Sequence, residues 1–89
     1  MLFEWDEAKR RRNLTKHGVD FADMLQAFDG RPTLEWQDTR RHYSERRWRR
    51  LAEIEGALYH IAYTRRGPSV RLISARSASR RERKTYYSD

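Results

Sequence analysis

The stretch that most constrains this chain is residues 57–83, ALYHIAYTRRGPSVRLISARSASRRER. Ala57 to Arg65 and Val70 to Ala75 are rich in aromatic and branched residues, and Arg66-Gly67-Pro68-Ser69 between them supplies turn chemistry. That pattern predicts a β-hairpin. Directly after it, Ser79-Arg80-Arg81-Glu82 has the form of a capping box. The serine hydroxyl takes a free amide while the glutamate reaches back, which starts a short basic helix. Hairpin and helix together mount eight cations between Arg65 and Lys84 on one rigid scaffold. The rest of the chain has to cover one face of it and leave the other available.

Upstream, Leu2-Phe3-Glu4-Trp5 alternates as a short edge strand does. Asp6 stands where an N-cap belongs, and Gly18 where a helix stops, so Glu7 to His17 reads as a helix. Its apolar stripe is thin, Ala8 and Leu14, and Lys9, Arg10, Arg11, Arg12 and Lys16 dominate its surface. Asp20 caps a second predicted helix, in which Phe21, Met24, Leu25 and Phe28 fall at i, i+3, i+4 and i+7. Asp29-Gly30-Arg31-Pro32 ends it. Thr33 to Gln37 reads as a strand, Asp38 to Arg47 as a polar loop, and Trp48 to Glu55 as a strand that turns at Gly56 into Ala57 to Arg65. The expected order is β-α-α-β-β-β-β-α, an α+β domain with its helices on one side of an antiparallel meander.

At 89 residues the chain is one domain, residues 1–89, with a modest core. Twenty basic residues against thirteen acidic ones leave a net charge of +7, and seventeen of the twenty are arginine. The planar guanidinium matches phosphate geometry, so this bias points to nucleic acid or to an acidic protein partner. With no cysteine there is no disulfide and no thiol nucleophile. No apolar run is long enough to span a bilayer. Glu4, Asp6 and Glu7 near the start are unlike a transit peptide, so a cytoplasmic location is expected.

The histidines at 17, 42 and 60 have no partner at metal-ligand spacing, and no Gly-rich phosphate loop or nucleophile elbow is present. Neither metal nor cofactor is expected. His60, inside a strand, reads as a structural histidine. What remains is a set of Arg, Tyr, Glu and His that suits attack of an RNA 2′-hydroxyl on its own phosphodiester. A base takes the hydroxyl proton, and cations stabilise the charged phosphorane. Glu45, His17 or a tyrosine would carry the proton, and Arg65 and Arg76 would hold the phosphate. A non-catalytic nucleic-acid-binding module and a pure protein-interaction subunit have the same composition, and both stay open.

Three segments carry a family resemblance. FEWDEAKRRRNLTKHGVDF (Phe3 to Phe21) holds Trp5-Asp6, Lys9, Asn13 and Lys16-His17-Gly18. Glu45-Arg46 precedes Trp48, and Ile73-Ser74-Ala75-Arg76 is followed by Arg81-Glu82-Arg83 and an aromatic. In this the sequence resembles the BrnT family, the toxin half of BrnT–BrnA type II toxin–antitoxin pairs. The resemblance implies a RelE-like fold, here two N-terminal helices packed on a small antiparallel sheet with a short C-terminal helix. It implies a metal-independent endoribonuclease that arrests growth. It also implies a BrnA-like ribbon-helix-helix antitoxin in a heterotetramer, which reaches operator DNA through the antitoxin. Carried over by position, the catalytic candidates are His17, Glu45, Arg65 and Arg76. The RNA-binding candidates are Lys9, Lys16, Arg46, Arg81 and Arg83. Trp5 and Asp6 read as an apolar anchor and a helix cap, and Glu82 as the capping-box acid.

Overall fold

The computed structural model describes residues 1–88. Asp6 accepts hydrogen bonds from the Ala8 and Lys9 amides and starts α1 (Glu7–His17). Gly18 closes that helix at φ +69°, a left-handed conformation that costs glycine nothing. Ser79 Oγ accepts from the Glu82 amide at 3.2 Å while Glu82 accepts from the Ser79 amide at 2.8 Å, and α2 (Arg80–Tyr87) follows. Five strands make one sheet: β1 (Leu2–Trp5), β2 (Thr33–Asp38), β3 (Arg47–Ile54), β4 (Ala57–Arg66) and β5 (Ser69–Ser77). Their order across the sheet is β1-β5-β4-β3-β2.

The expectation of a RelE-like fold with two N-terminal helices on a small antiparallel sheet is overturned. β2 to β5 do form an antiparallel meander, but β1 joins β5 in parallel, so the sheet is five-stranded and mixed. The alternation in Leu2–Trp5 signals a strand and is silent about its direction. The second N-terminal segment, Phe21–Phe28, is a 3-10 helix. Its fully buried residues are Phe21, Met24 and Ala27, one every third position, the period of a 3.0-residue turn. Finally, the helices do not share a side. Side chains alternate along a strand, and α2 sets Glu82 against Arg49 and His60, each one residue out of step with Arg50 and Ile61, which face the 3-10 helix side.

The core lies between the sheet and the two N-terminal segments, where Phe21, Met24 and Ala27 meet Ala52, Ile61, Tyr63, Leu72 and Ala75. Asn13 ties α1 down. Its buried amide donates to the carbonyls of Val19 (2.9 Å) and Ala75 (2.8 Å) and accepts from the Ala75 amide (3.1 Å). The opposite face of the sheet is covered at one end by α2 and at the other by the loop between β2 and β3.

Candidate active site

On that opposite face one row of side chains crosses all five strands. Asp38, Arg47, Thr64, Arg71 and Glu4 stand opposite one another in register. Neighbouring strands lie about 4.8 Å apart, so Thr64 is flanked closely by two arginines. Acids occupy only the ends of the row.

The polar loop between β2 and β3 folds over this row because Asp38 holds it there. The buried Asp38 carboxylate accepts from Arg40 Nε (2.9 Å) and Nη2 (2.8 Å) and from the Tyr43 hydroxyl (3.1 Å). The Arg40 hydrogen bonds hold its pKa well below the usual carboxylate range, against the opposing effect of burial. Tyr43 in turn lies under the Arg47 guanidinium, 4.2 Å from the ring centroid. Two residues on, Glu45 accepts from Arg66 Nη2 at 2.8 Å.

The result is a cavity of about 160 Å³ lined by Lys9, Tyr43, Ser44, Glu45, Arg47, Thr64, Arg66, Arg71 and Ile73. A neighbouring cavity of about 300 Å³ shares Tyr43, Glu45 and Arg47 and adds His42 and Arg46. Glu45 thus sits among Lys9, Arg46, Arg47, Arg66 and Arg71, with Asp38 in the neighbouring cavity and Glu4 3.6 Å from Arg66 and 3.9 Å from Arg71. The hydrogen bond from Arg66 lowers the Glu45 pKa, so at neutral pH the group is ionised. Cations so placed stabilise charge that develops on a phosphate between them.

Further along the same face lies a second polar cluster. Arg76 donates to both Glu82 oxygens at 2.7 and 2.9 Å, and Arg49 Nε donates to His60 Nε2 at 2.8 Å. Burial, and after it the charge of Arg76, pushes the His60 pKa down to about 4, so this imidazole is neutral under physiological conditions.

The candidates named from the sequence are therefore unevenly placed. Glu45, Lys9 and Arg46 come together in the two adjoining cavities. Arg76 shares their face, with its guanidinium engaged by Glu82. Arg65 is on the other face, 4.4 Å over the Trp48 ring and 2.6 Å from Glu35, an acid that also takes the hydroxyl of the buried Tyr63. His17 and Lys16 end α1, and a rise of 1.5 Å per residue puts His17 about 12 Å along the axis from Lys9. Arg81 borders a separate groove between α2 and β2, with Leu34 and Trp36, and Arg83 is exposed on α2. Sequence reasoning did not single out Arg47, Thr64, Arg71, Tyr43 or His42. Their shared location depends on strand register and on the fold of one loop, neither of which leaves a local signature.

A family model described as the ribonuclease toxin, BrnT, of type II toxin–antitoxin systems matches residues 5–82. The chain belongs to the BrnT family. No curated protein matches it. The matched span of this BrnT chain contains every cavity residue named above. Membership makes it a ribonuclease toxin of a type II toxin–antitoxin system, with an antitoxin as its partner. Among the described residues, no helix is long and apolar enough to cross a membrane.

Proposed function

We propose that this BrnT protein is a metal-independent endoribonuclease whose reaction centre is the shelf around Glu45. The Glu45 carboxylate takes the proton of an RNA 2′-hydroxyl. The 2′-oxygen attacks the adjacent phosphorus, the bond to the 5′-oxygen breaks, and a 2′,3′-cyclic phosphate and a 5′-hydroxyl result. Lys9, Arg66 and Arg71 stabilise the charge on the phosphorane, which is the part a metal ion would otherwise play. His42 and Lys9 are the candidates to protonate the leaving oxygen, and their single variants separate them. Arg46 contacts RNA at the rim. Arg76 acts by positioning Glu82 and α2, while His17, Arg65, Lys16, Arg81 and Arg83 lie outside the reaction centre.

The observation that supports this reading is the Glu45 carboxylate grouped with five cations, Lys9, Arg46, Arg47, Arg66 and Arg71, in two adjoining cavities on one sheet face. The same charge suits a BrnA-like ribbon-helix-helix antitoxin that covers the shelf with an acidic segment. The test is cleavage of a labelled RNA in EDTA. The wild type yields cyclic-phosphate ends, and Glu45→Gln is slower by about 10²–10⁴, the usual contribution of a positioned general base, with an unchanged melting temperature. RNA that survives the wild-type protein in EDTA, or is cut normally by the variant, refutes the proposal.

A further inference from the structure

Among the described residues, three buried side-chain atoms have no hydrogen-bond partner: Arg47 Nε, His60 Nδ1 and Thr64 Oγ1. Buried polar groups are nearly always paired, because leaving one unpaired costs free energy. Two of these three belong to cross-strand neighbours, Arg47 opposite Thr64, and both residues line the 160 Å³ cavity together with Glu45. Thr64 is only 3% exposed, so its hydroxyl is not satisfied by bulk solvent. It stands between Arg47 and Arg71 in the cross-sheet row, with Lys9 and Arg66 also bordering the cavity. A hydroxyl donor and a guanidinium N–H among four cations form a site for a tetrahedral oxyanion.

We infer that Thr64 Oγ and Arg47 Nε form the floor of a phosphate subsite and donate hydrogen bonds to the non-bridging oxygens of one RNA phosphate. That the phosphate is the scissile one rests on the ribonuclease reading; the anion site itself does not. Thr64 is here a phosphate-binding residue, needed because guanidinium charge draws an anion in without fixing its height above the sheet. A hydroxyl held by a strand backbone fixes that height.

The test compares wild type, Thr64→Val and Thr64→Ser. Inorganic phosphate and a fully 2′-O-methylated oligoribonucleotide, which offers no attacking hydroxyl, are titrated into each and followed by calorimetry and amide chemical shifts. Thr64→Val, which keeps the branched shape and loses the donor, binds both ligands about tenfold or more weakly. Thr64→Ser binds them nearly as wild type does. In the absence of ligand, Thr64→Val is as stable as wild type or more so, because the hydroxyl removed had no partner. Equal phosphate affinity in wild type and Thr64→Val overturns the inference, since the hydroxyl then serves only water. A loss of stability typical of a broken internal hydrogen bond overturns it too. Phosphate binding that depends on Thr64, with RNA left uncut by wild type, sinks the ribonuclease reading and leaves the anion site standing. RNA cut equally well by wild type and Thr64→Val overturns the assignment of this subsite to the scissile phosphate and leaves the ribonuclease reading standing.

Discussion

Glu82 is the residue on which the face opposite the core and α2 depend together. Its side chain is 14% exposed and meets Arg76 through two hydrogen bonds, Arg49 at 3.5 Å and the Ser79 amide at 2.8 Å. Burial alone would raise its pKa. The Arg76 and Ser79 hydrogen bonds outweigh that and bring it down to about 2 from an ordinary 4.5. Each tenfold change in proton affinity is worth about 1.36 kcal/mol, so the ionised carboxylate contributes on the order of 3 kcal/mol to the folded state. Because the folded pKa is depressed, this contribution is fully present above pH 4.5 and disappears as the pH falls toward 2.

Glu82→Gln isolates the charge, since the amide oxygen can still accept from the Ser79 N–H. At pH 7 the variant is expected to be less stable by about 2–3 kcal/mol, a drop of roughly 10–20 °C in melting temperature for a domain of this size. Urea unfolding followed by tryptophan fluorescence, repeated from pH 7 to pH 2.5, measures the difference directly. The gap between wild type and variant should narrow steadily below pH 4.5. A gap that stays constant across that range, or one below about 0.5 kcal/mol at pH 7, the level of a surface substitution, refutes the assignment of the depressed pKa to this cluster.

Asn13→Ala removes three hydrogen bonds and strands two carbonyls and an amide in the interior. The expected cost is about 3 kcal/mol, read by chemical denaturation. Arg65→Ala should leave RNA cleavage within about twofold, whereas Arg71→Ala should lower it by about 10²-fold or more, the scale of losing one group that stabilises the transition state; equal effects in a single-turnover assay would contradict the separation of the two faces. Binding of an uncleavable RNA should weaken with salt at a log–log slope of about −0.7 per phosphate contacted. Neutralising Lys9 and Arg46 together should flatten that slope by about 1.4.

Much of the backbone was legible in the residues themselves. Asp6, Gly18 and the Ser79–Glu82 box mark helix ends through local hydrogen bonding, and local chemistry is what a sequence displays. The strands begin and end close to their expected positions for the same reason, with turns at Glu55-Gly56 and Gly67-Pro68. The segment Phe21–Phe28 is different. Its apolar residues fit an α period through Phe21, Met24, Leu25 and Phe28 and a 3-10 period through Phe21, Met24 and Ala27. Only the packing against the sheet decides between them. Glu82 was legible as a capping acid, but its grip on Arg76 was not, because that contact joins a helix to a strand whose register the sequence leaves open.

Register also explains why Arg65 and Arg76 part company. Strand β5 pairs with β4 so that Ala62 faces Ser74 and Tyr63 faces Leu72, which leaves Ile73 without a partner. A β-bulge of this kind shifts the alternation by one residue. In a regular strand Val70, Leu72, Ser74 and Arg76 would share a face, and Val70 is the partner of Arg65. With Ile73 bulged, Val70, Leu72 and Ala75 turn to the core instead, and Arg76 falls opposite His60 on the side away from the core. The same extra residue that removes Arg76 from Arg65 therefore places it on the face that carries Arg71 and Thr64. A single insertion in one strand thus gathers the cations of β5 on the face opposite the core and leaves Arg65 to a contact with Trp48.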